Sequence, residues 1–165
     1  MVSWNLMQFF TPEQFSHPDK VDGRLVSMLD EFRRIIGCPI IVRKPSGDWR
    51  PRPEHPTVNS THYQGWAVDV YIPGLNVIDQ WMKAERSQLF NGIGLYPRGF
   101  PTGQYPGEPG LHLDIRSGSS ARWIGRADGT QLEDKFRSIS IYGILLDIAS
   151  KEQGFQQHRE ERKGG

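Results

Sequence analysis

The fold is decided by the stretch Ser60-Thr61-His62-Tyr63-Gln64-Gly65-Trp66-Ala67-Val68-Asp69-Val70. From residue 67 to residue 72 the side chains alternate between two faces with period 2, which is typical of a β-strand. Val68 and Val70 would share one face of a sheet, and Asp69 would lie on the opposite face. An ionisable group in so apolar a strand needs a partner, and a cation is a suitable one.

A second stretch, Gly110-Leu111-His112-Leu113-Asp114-Ile115-Arg116, repeats this alternation. As a strand it would place on one face the polar residues His112, Asp114 and Arg116. If both strands belong to one sheet, they share an apolar back, and Asp69, His112 and Asp114 meet on a common front. His62 lies just upstream of the first strand, where Gly65 permits a turn that brings the histidine over the same front.

Two histidines and a carboxylate from separate segments are a donor set found in catalytic zinc sites. Such sites use three protein ligands and keep a fourth position open for water. His62, Asp69 and His112 would supply the ligands, although other divalent ions also accept two imidazoles and one carboxylate. Taken singly, each residue also has an ordinary structural interpretation, as a turn cap, a charge at a strand edge and a surface histidine. The spacing alone leaves this choice open.

The pattern Ser-x-His-x-x-Gly-x-Ala-x-Asp at residues 60–69, followed by His112 in Leu-His-Leu-Asp-Ile-Arg, resembles the M15 family of zinc peptidases. The likeness is to the small carboxypeptidase-like branch that is common in prophages and among bacterial murein endopeptidases. It runs from about Phe10 to Trp123 and includes Gly92-Ile93-Gly94-Leu95-Tyr96-Pro97. The resemblance implies a hedgehog/DD-peptidase-like fold and one Zn²⁺ per chain, bound by His62, Asp69 and His112.

Two carboxylates are candidates for the general base that such a peptidase requires. Asp114 lies two residues beyond His112 on the same strand face, and the resembled branch has an Asp in that place. Glu108 lies four residues before His112, whereas the dipeptidase-like relatives carry their Glu three residues before this ligand. Pro109 occupies that position here. Both carboxylates therefore remain candidates, and Asp114 could instead orient a ligand histidine.

Four further residues are candidates for substrate binding. The family's Ser-Gly-Tyr-Arg segment is similar to residues 46–50, which are one residue longer, so Arg50 is the candidate for holding a substrate carboxylate, with Arg43 in reserve. Arg116 could bind a carboxylate as well, or simply pair with Asp114. Ser60 opens the ligand motif, and Tyr105 belongs to a Pro/Gly-rich loop that leads to His112.

Length and composition favour one soluble domain. The chain has 165 residues and a net charge of +1, so its charge gives no reason to expect nucleic acid or an anionic membrane as a partner. No stretch reaches the roughly 18 apolar residues of a membrane span. The single Cys38 excludes an internal disulfide. We expect one peptidase-like domain over residues 1–150 and a charged, disordered tail over residues 151–165.

The predicted architecture is α+β. Apolar residues recur at three- and four-residue steps over residues 22–36 and again over 76–90, which predicts two amphipathic helices. Short strands are expected at 39–43 and 91–97, beside the two strands described above. Together these elements predict a small, mostly antiparallel sheet with the helices on its apolar face.

The resemblance implies a zinc metallopeptidase that hydrolyses peptide bonds in peptidoglycan stem peptides, as a D-Ala-D-Ala carboxypeptidase or a murein endopeptidase. Because the N-terminus lacks the features of a signal peptide, we expect synthesis in the cytoplasm and action on the cell wall after release or as part of a virion. A monomer is expected. The alternative is an inactive metal-binding, virion structural or wall-binding module on the same fold.

Overall fold

The computed structural model describes residues 1–45, 47–50, 60–96 and 109–124 of the chain. The predicted tail at 151–165, and two of the candidate site residues, Glu108 and Tyr105, lie outside these residues. Within them the protein has two α-helices, two short 3₁₀ turns and one five-stranded sheet. The predicted α+β class is confirmed.

Both predicted helices form, and each begins at a side-chain cap. Helix α1 (Gly23–Ile36) starts after Asp22, whose carboxylate accepts the Arg24 N–H, and ends at Gly37 in the left-handed conformation. Helix α2 (Val77–Ser87) starts after Asn76, whose side chain accepts the Asp79 N–H. It ends before the predicted residue 90 because Gln88 takes a left-handed φ of 56°.

Five strands form the sheet in the spatial order β1-β2-β4-β3-β5. They are β1 (Ile41–Val42), β2 (Ala67–Tyr71), β3 (Gly92–Tyr96), β4 (Gly110–Asp114) and β5 (Ala121–Ile124). The pairs β1–β2, β2–β4 and β3–β4 are antiparallel, as expected, whereas β5 pairs with β3 in parallel and makes the sheet mixed. Strand β5 is not among the predicted strands.

The apolar back of the sheet packs into one hydrophobic core with the helices. Helix α2 packs on β3 and β4, and α1 packs on α2. The sheet contributes six side chains that are at most 1% exposed, namely Val68, Val70, Ile93, Leu95, Leu111 and Leu113. Burying one such side chain stabilises the fold by about 1.5–3 kcal/mol, so this layer supports the opposite face.

No helix in the described ranges is long and apolar enough to cross a membrane. The N-terminal segment packs against the same core through Phe10 and Phe15, which flank a 3₁₀ turn at Pro12–Gln14. The turn carries a capping box, in which the Gln14 side chain accepts the Thr11 N–H.

Candidate metal centre

The strand register places the predicted ligands together on the front of the sheet. Asp69 on β2 lies directly opposite His112 on β4, and Gly94 on β3 is opposite His112 from the other side. Because side chains alternate along a strand, Asp114 points to the same front as His112. The common front that the sequence predicts is therefore present.

His62, Asp69 and His112 form a buried cluster that could hold a metal ion. Their side chains are less than 10% exposed. His62 Nε2 lies 3.0 Å from His112 Nδ1, Asp69 Oδ1 lies 3.0 Å from His112 Nδ1, and Asp69 Oδ1 lies 3.3 Å from His62 Nε2. Ligands at zinc bond lengths of about 2.0–2.1 Å in a tetrahedron are about 3.3–3.4 Å apart, so the three atoms already approximate one face of such a site.

A tight turn brings His62 over the front of the sheet. Gly65 has a left-handed φ of 72°, and a Cβ there would lie 2.1 Å from the Lys20 carbonyl oxygen, so the turn requires glycine. The His62 Nδ1–H donates to the backbone carbonyl of Asp48 at 2.5 Å. This bond leaves the lone pair of Nε2 directed at the cluster.

His112 uses its two nitrogens in opposite directions. Nδ1 faces Asp69 and His62, while Nε2 lies 3.1 Å from Asp114 Oδ2. With Nε2 donating to the carboxylate, the lone pair of Nδ1 points into the cluster. Two imidazole lone pairs and a carboxylate oxygen then converge, and their repulsion is relieved either by a proton on Nδ1, which would donate to Asp69, or by a metal ion between the three atoms. The donor set therefore fits a divalent metal ion.

Arg50 lies at the rim of this cluster. Its Nη2 donates to Asp69 Oδ2 and lies 3.4 Å from His62 Nε2, and its side chain is 43% exposed. The short segment that carries it is fixed to β2, since the Asp69 N–H donates to the Gly47 carbonyl at 2.6 Å. Asp48 in the same segment is fully buried, and its carboxylate accepts the His17 N–H at 2.6 Å. The structure thus places Arg50 beside the cluster, paired with Asp69, and its role in holding a substrate carboxylate stays a prediction.

Electrostatics within the cluster favour the charged form of Asp69. Burial opposes that form, but attraction to His62 and hydrogen bonding to His112 outweigh it and hold the pKa of the Asp69 carboxyl well below its ordinary value. Burial likewise opposes a charged His112, yet its bonds to Asp114 and Asp69 raise the pKa of this imidazole. Asp69 is therefore anionic at neutral pH, as a carboxylate ligand of a metal ion would be.

Two features of the front were missed by the sequence analysis, namely the space above the glycines of β3 and the position of the Trp123 indole. Gly92 and Gly94 leave room for larger neighbours, since a Cβ at Gly92 would lie 2.1 Å from Asp114 Oδ2 and one at Gly94 would lie 2.4 Å from the Trp123 indole. The indole packs beside His112 with ring centroids 5.0 Å apart. The signal was a Gly-x-Gly alternation in a strand beside the ligand strand, which predicts bulky side chains over both glycines.

Tyr96 is a further residue of this front. It follows Gly94 on the same face of β3, and its phenol interacts with Trp123. Burial and the negative charge of Asp69 raise the pKa of the Tyr96 hydroxyl above its ordinary value of 10.0. The hydroxyl therefore stays protonated at neutral pH and can donate a hydrogen bond.

The remaining predicted site residues fall in three places. Arg116 pairs with Asp114, as one of the two interpretations expected. Ser60 begins the turn that carries His62, and its carbonyl accepts the Gln64 N–H at 3.2 Å. Arg43 is buried over the ring of Tyr71. Glu108 and Tyr105 remain predictions outside the described residues.

No protein-family model matches this chain, and neither the curated proteins nor the solved structures contain a match. A functional assignment for this chain therefore depends on the geometry of the cluster and on the sequence motif.

Proposed function

We propose that this protein is a zinc metallopeptidase of the M15 type, which hydrolyses peptide bonds in peptidoglycan stem peptides. The single observation that carries the proposal is the buried triangle of His62 Nε2, Asp69 Oδ1 and His112 Nδ1, with edges of 3.0–3.3 Å. Structural zinc sites are closed by four protein ligands, whereas catalytic sites use three. Three donors with an exposed arginine at their rim suit the catalytic type.

Each residue has a role in this proposal. His62, Asp69 and His112 would hold the metal ion, which when bound polarises a carbonyl and makes a water molecule more acidic. Arg50 would bind a carboxylate of the stem peptide, because its guanidinium is at the rim and partly exposed. Glu108, on the segment before His112, is the carboxylate that we propose for proton transfer. Ser60 and Tyr105 are proposed to contact the substrate.

The fold and the setting of the activity belong to the same proposal. A hedgehog/DD-peptidase-like fold is supported by an α+β architecture in which two ligands lie opposite each other on antiparallel strands. The substrate implies that the protein acts on the cell wall, after release or as part of a virion. We propose that it does so as a monomer with one Zn²⁺ per chain.

The test combines metal analysis with digestion of defined muropeptides. Purified protein is expected to contain one zinc per chain and to cleave a stem peptide. His112→Ala should lose both properties, whereas His17→Gln, a histidine outside the cluster, should keep both. Glu108→Gln should keep the zinc and lose cleavage, and Glu31→Gln serves as the matched control on an exposed carboxylate.

Two results would contradict the proposal in different ways. Protein that binds zinc but cleaves no stem peptide would support the inactive metal-binding or virion structural module, which the position of Pro109 in place of the expected Glu also favours. Protein that binds no divalent metal would exclude both and would leave a wall-binding domain as the interpretation of the motif.

A further inference from the structure

His112 has a carboxylate on the side of the ring that faces away from the cluster. Its Nδ1 lies 3.0 Å from both His62 Nε2 and Asp69 Oδ1, while its Nε2 lies 3.1 Å from Asp114 Oδ2. The two nitrogens of one imidazole point in different directions. A group that bonds Nε2 is therefore separated by the ring from whatever Nδ1 binds.

Asp114 is fully buried and held by Arg116. The Arg116 Nε lies 2.9 Å from Asp114 Oδ1 and 3.0 Å from Oδ2, and the Arg116 backbone N–H donates to Oδ1 at 3.0 Å. The guanidinium in turn lies 5.1 Å from the centroid of the Trp123 ring. The carboxylate oxygens are thus occupied by Arg116 and His112, and the group is fixed in one orientation.

Gly92 makes this position of Asp114 possible. The two residues are opposite each other in the β3–β4 register, and a Cβ at Gly92 would lie between 2.1 and 2.4 Å from the atoms of the Asp114 carboxyl group. Real Cβ atoms do not approach other atoms so closely. The carboxylate therefore lies over the bare backbone of β3, which a larger residue at position 92 would prevent.

We propose that Asp114 is a positioning residue that, together with Arg116 and Gly92, fixes the Nε2–H tautomer of His112 and so commits Nδ1 to the metal. Metal-bound histidines commonly donate their other N–H to a carboxylate in this way, which fixes the ring and raises its basicity. The inference rests on the metal site of the proposed function. It removes Asp114 from the role of general base, because the carboxylate lies on the far side of the ring.

The first test is a spectroscopic signature in the unmodified protein. Imidazole nitrogens of zinc-loaded, ¹⁵N-histidine-labelled protein are assigned by long-range ¹H–¹⁵N correlation. His112 is expected to be protonated at Nε2 and metal-bound at Nδ1, and His62 is expected to show the reverse. Zinc bound to Nε2 of His112 would overturn the positioning role and leave the proposed function intact. A protein that binds no zinc would overturn both.

The second test is zinc affinity, measured by competition with a chromophoric chelator. Asp114→Ala should weaken binding by about 10- to 100-fold. Asp114→Asn should recover part of this loss, because its amide oxygen can still accept from Nε2–H. Asp19→Asn, a mostly exposed carboxylate, is the matched control and should bind as the unmodified protein does. Unchanged affinity in Asp114→Ala combined with lost cleavage would instead identify Asp114 as the base.

Discussion

The two faces of strand β4 are equally buried but differ in chemistry. On the back, Leu111 and Leu113 of β4 are fully buried among apolar side chains. On the front, His112 and Asp114 of the same strand are 4% and 0% exposed, and they contact charged or aromatic groups. Neighbouring residues of one strand thus experience opposite environments.

Burial has opposite effects on the free energy of folding on the two faces. Removing apolar surface from water stabilises the fold, whereas burying polar groups costs free energy unless each one finds a partner. A core of apolar residues would fill the front at lower cost. A buried polar cluster of this kind is therefore weak evidence for stability, which is consistent with a cluster that could hold a metal ion.

The largest effect on zinc binding is expected from Asp69→Asn on the front. The amide replaces an anionic ligand, so we expect zinc binding to be abolished. In the unmodified protein, zinc at 100 times its Kd should raise the free energy of unfolding by about 2.7 kcal/mol, and the variant should lose this increment. Urea denaturation with zinc and with a chelator measures it. A full zinc-dependent increment in Asp69→Asn would show that the metal binds elsewhere.

A substitution on the back face should lower the stability of the fold and leave zinc binding intact. Leu113→Ala removes a fully buried side chain next to His112 in sequence but on the other side of the strand. We expect a loss of about 2–5 kcal/mol in the free energy of unfolding, with the zinc-dependent increment retained. The same denaturation series measures both quantities. A lost increment would mean that the two faces are coupled through β4.

Gly94→Ala tests the fit of the front without touching a ligand. The new Cβ would lie 2.4 Å from the Trp123 indole, which also packs beside His112. Overpacking of this kind costs about 1–3 kcal/mol in the free energy of unfolding. Gly94 lies outside the left-handed region, so its substitution adds a collision without backbone strain, whereas Gly118→Ala, at φ +91° and with no neighbour within 4 Å, adds strain without a collision. An unchanged free energy of unfolding in Gly94→Ala would contradict the packing explanation.

The alternation of residues 67–72 and 110–116 was sufficient to predict which residues occupy each face. It placed Asp69, His112 and Asp114 on one front, because side-chain direction in a strand depends only on parity. The helices followed from a period of three to four residues, and in the structure Asp22 and Asn76 cap them. These are local signals, which a sequence states directly.

The unpredicted features depend on contacts between distant segments. The parallel pairing of β5 with β3 brings Trp123 over Gly94, and no local pattern specifies such a partner. The backbone carbonyl of Asp48, which orients His62, is also invisible in the sequence because every residue has a carbonyl. The structure is therefore needed to identify which nitrogen of each histidine faces the cluster.

The smallest effect is expected at the start of α1, where the helical layer meets the turn that carries His62. Asp22→Ala removes the cap on the Arg24 N–H and should cost about 1 kcal/mol in the free energy of unfolding. The Asp22 backbone N–H, which donates to the Gly65 carbonyl at 2.9 Å, is kept in the variant.

Zinc affinity should therefore stay unchanged in Asp22→Ala. The matched control is Asn76→Ala, which removes the cap of α2 and should also leave zinc affinity unchanged. Urea denaturation of the metal-free proteins and chelator competition measure the two quantities separately. If affinity fell tenfold in Asp22→Ala alone, the side-chain cap of α1 would help to hold His62. The division between a stabilising apolar back and a polar front would then not extend to this end of the helix.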